Sequence, residues 1–139
     1  MYRLGKKSKR ELIGVHPILS FAVMEAIKIT EQDFTVFDGL RTEKEQRKYV
    51  REGRSHTMKS RHLSGNAVDL IPYINGNLTW DLQYFDEIEI AMKRIISKYN
   101  LPIEWGGDWK SFVDKPHWQI SKGYDDYDVR KFAPHLAAV

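Results

Sequence analysis

The 139-residue chain contains no cysteine. Disulfide bonds and thiolate metal ligands are therefore excluded, and any metal site has to use histidine nitrogens and carboxylate oxygens. No apolar run is long enough to span a membrane, and the basic first 14 residues are not followed by the apolar stretch of a signal peptide. We therefore expect no signal peptide and no stable membrane insertion. The protein is expected to stay in the cytoplasm where it is made unless another factor releases it.

The chain has fewer acidic than basic residues, 19 aspartates and glutamates against 22 lysines and arginines. Its formal net charge is therefore +3, and its pI is near 9.0. A basic protein favours anionic partners, such as nucleic acid or an anionic cell envelope. The sequence has no helix-turn-helix, zinc-finger or base-stacking pattern, so we expect no nucleic-acid binding. The length suits one compact domain. We expect residues 1–139 to form that single domain, without a separate binding domain.

Helix and strand patterns follow one another along the chain without an internal repeat. Capping residues or a proline before apolar residues at helical spacing predict helices from Ser8, from Pro17, from Thr42 to Gly53 and from Asp81 to about Asn100. Apolar, β-branched and aromatic residues predict short strands at residues 33–39, 67–73, 102–109 and 115–121. This pattern indicates one mixed α+β domain.

The segment SRHLSGNAVDL, residues 60–70, places Asp69 in an apolar strand pattern. A buried carboxylate is costly unless it is paired, hydrogen-bonded or bound to a metal. His62 lies seven positions earlier, and an odd separation would put the two side chains on opposite faces of a continuous strand. A bend at residues 64–66 would let both reach one metal ion. An exposed histidine beside a turn aspartate is the alternative, which spacing alone does not exclude.

The segment VDKPHWQI places His117 in a predicted strand, with Asp114 three positions before it. Pro116 favours an extended residue before it, so Asp114 and His117 can project into one cleft. Two histidines and a carboxylate suit a catalytic zinc, and a further carboxylate can accept a proton from the attacking water. A half-buried structural histidine is the alternative. Asp108 competes for the role of base, but the short link from Asp114 to His117 favours Asp114.

Three segments, FDGLRTEKEQ, SRHLSGNAVDLIPYINGN and IEWGGDWKSFVDKPHWQI, together resemble a known family. They are similar to zinc peptidases related to D-Ala-D-Ala carboxypeptidases, and more closely to the L-alanyl-D-glutamate endopeptidases that tailed bacteriophages use as endolysins. The resemblance runs from about Val15 to Ile120. It implies the fold of the hedgehog and D-Ala-D-Ala peptidase group, an α+β fold with a small antiparallel sheet flanked by helices.

The resemblance also implies roles for individual residues. It makes His62, Asp69 and His117 the ligands of one zinc ion per chain. It makes Asp114 the general base and Arg41 the residue that binds the substrate carbonyl oxygen. It places Gln46 and Ser60 among the substrate contacts. Apart from the resemblance, the turn at Gly106 and Gly107 suggests a cleft wall, and Trp105 and Asp108 beside it are also expected to contact the substrate.

The activity implied by the resemblance is hydrolysis of the L-alanyl-D-glutamate bond in the stem peptide of bacterial peptidoglycan, as a phage endolysin in host cell lysis. The alternatives are a D,D-carboxypeptidase or dipeptidase on the same scaffold, and a wall-binding module without activity. An endolysin of this kind is expected to be a monomer. It would accumulate in the host cytoplasm and reach the periplasm and cell wall with the help of a holin.

Overall fold

The computed structural model describes residues 1–126, and residues 127–139 of the predicted domain lie outside this part. The α-helices of the described part are α1 (Lys6–Glu11), α2 (Pro17–Ile29), α3 (Glu43–Arg51) and α4 (Asp86–Tyr99). The strands are β1 (Phe34–Asp38), β2 (Ala67–Ile74), β3 (Asn77–Leu78), β4 (Ile103–Trp105) and β5 (His117–Ile120). Short 3-10 helices lie at Arg61–Ser64, Leu82–Phe85 and Gly106–Asp108.

The strands form one antiparallel sheet in the order β1-β2-β5-β4, and β3 pairs with the end of β2. In this register Asp69 of β2 is opposite Asp38 of β1 on one side and His117 of β5 on the other. The sheet with its flanking helices confirms the predicted α+β fold. It also brings together residues that are far apart in the sequence.

The core lies between the sheet and the paired helices α2 and α4. Each of these elements contributes fully or almost fully buried apolar side chains, among them Ile18, Val36, Leu70, Met92 and Trp118. Full burial of one large aliphatic side chain contributes about 1.5–3 kcal/mol, so this core gives the central strands a rigid support. Among the described helices, none has the length and apolar composition needed to cross a membrane.

Two predicted helix starts differ from the structure. Helix α1 begins at Lys6, and Ser8 does not cap it but lies buried, where its hydroxyl accepts a hydrogen bond from the backbone N–H of Val36 at 2.9 Å. Asp81 accepts from the backbone N–H of Gln83, but the turn that follows it is a 3-10 helix and α4 begins at Asp86.

Two other helix starts agree with the sequence pattern. Pro17 is the first residue of α2, and Thr42 caps α3 through a reciprocal capping box with Glu45. Helix α3 ends at Arg51, two residues before the predicted end at Gly53.

Candidate metal centre and catalytic cleft

His62, Asp69 and His117 form a cluster in which one ligand atom from each residue lies within 4.8 Å of the others. One carboxylate oxygen of Asp69 is 3.3 Å from Nε2 of His62, and the other is 3.3 Å from Nδ1 of His117. The carboxylate predicted to lie in an apolar strand therefore faces two imidazoles. Two nitrogens and one oxygen are a typical donor set for a catalytic zinc that keeps an open position. This cluster can hold a metal ion.

A bend before β2 turns His62 toward Asp69. His62 lies in the 3-10 helix Arg61–Ser64, where the Ser60 hydroxyl accepts a hydrogen bond from the His62 backbone N–H. The 3-10 helix ends at Gly65, which has a φ of 76°. A Cβ at Gly65 would also lie 2.3 Å from the carbonyl oxygen of Gly14. Both the backbone conformation and the close approach therefore favour glycine at this bend.

The nitrogen of each imidazole that faces away from Asp69 has its own partner. Nδ1 of His62 lies 2.9 Å from the carbonyl oxygen of Gly39, and Nε2 of His117 lies 2.8 Å from Oε1 of Gln119. Hydrogen bonds of this kind orient metal-binding histidines and raise their basicity as ligands. The nitrogens left for a metal are Nε2 of His62 and Nδ1 of His117.

The charges within the cluster favour an ionised Asp69. Burial alone would raise the pKa of Asp69, but the charge of His62 and hydrogen bonds from both imidazoles hold that pKa well below its ordinary value. Burial is the largest single effect on the pKa of His117 and lowers it, but the hydrogen bond and charge of Asp69, the hydrogen bond to Gln119 and the charge of Asp114 together raise the net pKa. Without a metal the cluster therefore tends to hold protons, and a metal ion would bind in competition with them.

Asp114 is half-buried beside this cluster. Burial and the negative charge of Asp69 raise the pKa of Asp114, so its carboxylate is a better proton acceptor than an exposed one. The backbone N–H of Asp114 donates to the carbonyl of Gly106 at 3.0 Å, and that of His117 donates to the carbonyl of Asp114 at 3.2 Å. These bonds hold the segment between β4 and β5 close to the cluster.

Arg41 lies at the edge of the cluster, with Nη2 3.8 Å from a carboxylate oxygen of Asp69. Its side chain is only 7% exposed. The guanidinium donates from Nε and Nη2 to Asp38, donates from Nη1 to Gln46, and lies 4.4 Å from the ring centre of Tyr49. Planar donors held from several sides suit recognition of an oxygen atom at a fixed place.

The loop between β4 and β5 contributes two aromatic rings near the cluster, and one of them contacts the loop that precedes the 3-10 helix Arg61–Ser64. The ring of Trp109 lies 5.2 Å from that of His117. Phe112 is 74% exposed with a φ of 53°, and its ring lies 5.1 Å from that of His56 in the preceding loop. A cavity of 480 Å³ adjoins Arg41 and is lined by Leu40, Arg41, Thr42, Glu43, Met58 and Leu63.

The family described as "Phage L-alanyl-D-glutamate peptidase" matches residues 1–132 of the chain. The chain belongs to this family. It is 31% identical over 129 residues to the L-alanyl-D-glutamate peptidase of Escherichia phage T5, a match that covers 90% of this chain and 93% of the phage protein.

Two further relatives support this assignment. The L-alanyl-D-glutamate peptidase of Listeria phage A118 is 37% identical over 90 residues, which are 64% of this chain and 31% of that protein. The crystal structure of the Serratia marcescens L-Ala D-Glu endopeptidase ChiX aligns with a TM-score of 0.78 and 38% identity, over 88% of this chain and 90% of that chain.

In this member of the family, two expected substrate contacts bond to the protein itself. Gln46 is fully buried, and its amide N–H groups donate to Ser55 and Thr57 while its carbonyl oxygen accepts from Arg41. Ser60 accepts from the backbone of His62. Both residues therefore support catalytic candidates, and their direct contact with a substrate stays a prediction.

The other two expected contacts lie on opposite sides of the tight turn at residues 106–107. Trp105 is 6% exposed, stacks on Trp118 at 5.5 Å and donates from Nε1 to the carbonyl of Lys115 at 2.7 Å. Asp108 is exposed and forms an ion pair with Lys93 at 3.1 Å. The first belongs to the core and the second to the surface, and direct contact of either residue with a substrate stays a prediction.

Three residues that support the site were not identified from the sequence. Asp38 pairs with Arg41, Gln119 with His117, and Glu104 with Gln119. A signal was present in two cases, because Asp38 lies three positions before Arg41 and Gln119 lies two positions after His117 on the same strand face. Glu104 carried no such signal, since only the pairing of β4 with β5 brings it near.

Proposed function

We propose that this protein is a zinc-dependent peptidoglycan endopeptidase that hydrolyses the bond between L-alanine and D-glutamate in the stem peptide. The observation that carries the proposal is the His62, Asp69 and His117 cluster with Asp114 and Arg41 beside it. The donor set supports zinc, because imidazole and carboxylate ligands without thiolates are typical of catalytic zinc. The names of the phage and Serratia relatives support the choice of bond.

Hydrolysis of an amide requires an activated water and stabilisation of the charge that develops on the carbonyl oxygen. A bound zinc would supply a Lewis acid that polarises the carbonyl and lowers the pKa of a water molecule. Asp114 accepts the proton of the attacking water and returns it to the departing amine. Arg41 donates hydrogen bonds to the carbonyl oxygen. Because Asp38 and Gln46 already hold the guanidinium, little reorganisation is needed when the charge develops.

Digestion of purified sacculi with and without a chelator, followed by mass spectrometry of the released fragments, tests the activity. The proposed bond gives fragments with a new N-terminal D-glutamate, and chelator should stop their release. New termini at the D-alanine end would instead support the D,D-carboxypeptidase or dipeptidase. Absence of fragments under all zinc conditions would support the wall-binding module.

We also propose that the protein acts in host cell lysis as a monomer, reaching the wall from the cytoplasm when a holin permeabilises the membrane. The phage relatives support this role. Expression in a Gram-negative host should leave the cells intact until a holin is co-expressed. Lysis without any permeabilising protein would contradict this route. The monomeric state is tested separately by sedimentation of the purified protein, which would reveal any larger assembly.

Loss of the guanidinium at Arg41 should lower turnover by about a hundredfold to a thousandfold, the usual cost of removing one oxyanion donor. We expect this effect for Arg41→Ala, which also leaves Asp38 buried without its partner and so destabilises the fold. Arg41→Lys keeps a charge for Asp38 but lacks the planar donors, and it should also be impaired. Zinc content, thermal unfolding and turnover are measured for each variant.

Arg54→Ala is the matched control, because Arg54 also lies over the Tyr49 ring, at 4.2 Å, but is exposed. It should keep full turnover. A folded, zinc-replete Arg41→Lys protein with native turnover would remove the guanidinium from the mechanism.

A side chain at Gly106 should disturb the catalytic segment. A Cβ there would lie 2.4 Å from the carbonyl oxygen of Asp114 and 3.1 Å from the Cβ atoms of Asp114 and His117. We expect Gly106→Ala to displace this segment and to lower turnover by about a hundredfold, as misplacement by about 1 Å can do. Gly5→Ala is the control, since no atom lies within 4 Å of its added Cβ. Equal turnover of the two variants would show that the segment adapts without loss.

A further inference from the structure

The His117 ligand stands at the end of a chain of side-chain hydrogen bonds. Its Nε2 is 2.8 Å from Oε1 of Gln119, and Nε2 of Gln119 donates to Oε1 of Glu104 at 2.7 Å. The sheet creates this arrangement, because His117 and Gln119 share one face of β5 and Gln119 is directly opposite Glu104 of β4. Gln119 is buried, so water has little access to replace a lost partner.

The chain of bonds has a defined direction because an ionised carboxylate can only accept hydrogen bonds. Glu104 therefore attracts the NH₂ end of the Gln119 amide. The carbonyl end of that amide then faces His117 and requires a proton on Nε2. Rotating the amide by 180° would place its oxygen against the carboxylate, which is unfavourable. Nε2 therefore keeps its proton, and Nδ1, which faces Asp69 at 3.3 Å, is the nitrogen that can exchange its proton for a metal ion.

The two histidines of the cluster have different acceptors for the ring nitrogen that faces away from Asp69. The acceptor for Nδ1 of His62 is the backbone carbonyl of Gly39, which has one fixed polarity. The acceptor for Nε2 of His117 is an amide that could point either way. Only the second arrangement depends on a further residue for its direction, and Glu104 supplies that direction.

We infer that Gln119 and Glu104 are positioning residues, which keep His117 in the tautomer and orientation that offer Nδ1 to a metal ion. This inference rests on the metal centre of the proposed function. Gln119 acts on the ligand directly, whereas Glu104 acts through Gln119. Partners of this kind typically contribute about tenfold to a hundredfold in metal affinity.

Zinc affinity, measured by competition with a fluorescent chelator, tests the inference in the full chain. Gln119→Leu removes the acceptor and should weaken zinc binding by about tenfold to a hundredfold. Glu104→Gln keeps the size of the side chain but no longer dictates the direction of the amide, so it should weaken zinc binding less. The control is Glu31→Gln at an exposed position, which should bind zinc like the native protein.

The double variant separates a relay from two independent effects. Because Glu104 acts only through Gln119, the combined Glu104→Gln and Gln119→Leu protein should bind zinc no more weakly than Gln119→Leu alone. Additive losses, or native affinity in Glu104→Gln, would overturn the inference.

Nitrogen NMR of the imidazoles in the zinc-free protein gives a second readout that does not depend on the metal. The Nε2 proton of His117 should be hydrogen-bonded and slow to exchange in the native protein, and it should exchange faster in Glu104→Gln. An Nε2 atom without a proton in the native protein would overturn the inference. If the native protein shows the Nε2 proton but fails to bind zinc, the proposed function fails while the hydrogen-bond relay stands.

Discussion

Replacement of His117 by alanine is expected to abolish both stoichiometric zinc binding and peptidoglycan hydrolysis. The imidazole is one of only three ligands that the cluster offers, and its Nδ1 lies 3.3 Å from the Asp69 carboxylate. A catalytic zinc normally has three protein ligands, and two are a poor site. Metal analysis of the purified variant should give far less than one zinc per chain, and digestion of sacculi should give no fragments.

Chelation of the native protein should reproduce the loss of activity and lower the melting temperature. A metal that binds only the folded state stabilises it by mass action, by about 2.7 kcal/mol when free zinc is a hundredfold above its Kd. Calorimetry with and without chelator measures this shift. The His117→Ala protein should melt at the same temperature in both conditions, because it has no zinc to lose.

His16→Ala is the matched control for loss of an imidazole. Nδ1 of His16 accepts a hydrogen bond from the backbone N–H of Ile18 and caps α2. Its removal should cost about 1 kcal/mol of stability, as for other helix caps, and leave zinc content and turnover unchanged. One zinc per chain in His117→Ala would refute the ligand assignment.

The elements that the sequence predicted well are those with local causes. Pro17 and the Thr42–Glu45 capping box determine helix starts through residues a few positions apart. Ser8 has an equally good local pattern, yet its hydroxyl bonds to the Val36 backbone, 28 positions away. That bond depends on how α1 packs against β1. A capping pattern does not contain this information.

The metal cluster depends on strand register, which the sequence pattern does not determine. Asp69 and His117 become neighbours because β2 pairs with β5. The residue types suggested one zinc site and the family resemblance implied it, but neither contained this pairing. The same register explains why Trp105 is a core residue. It lies opposite Trp118 on the next strand and stacks on it, whereas the nearby glycines suggested a cleft wall.

The resemblance was a more reliable guide to which positions belong to the site than to what their side chains contact. Arg41 and Gln46 were identified as separate substrate contacts, but the structure joins them by a buried hydrogen bond and adds Asp38. Burial explains the difference, since Gln46 has no exposed surface and its polar atoms need partners within the protein. Its substitution should therefore act on the position of Arg41.

Three aspartate-to-asparagine variants should separate the general base from the metal ligand. Asp114→Asn keeps the shape of the side chain but cannot accept the proton, so turnover should fall by about a hundredfold to ten-thousandfold while zinc content stays near one. Asp69→Asn replaces an anionic ligand with a weak neutral one and removes the partner of both imidazoles. Its first defect should be in zinc affinity, measured by chelator competition.

Asp108→Asn is the discriminating control, because Asp108 is the competing candidate for the base. Its carboxylate is exposed and pairs with Lys93, whereas the pKa of Asp114 responds to the charges of Asp69 and both cluster histidines. Loss of an exposed ion pair costs only about 0–1 kcal/mol, so Asp108→Asn should keep both zinc and turnover. An inactive, zinc-replete Asp108→Asn beside an active Asp114→Asn would reverse the assignment. Loss of zinc from Asp114→Asn would instead make Asp114 a ligand and leave the attacking water without its proposed base.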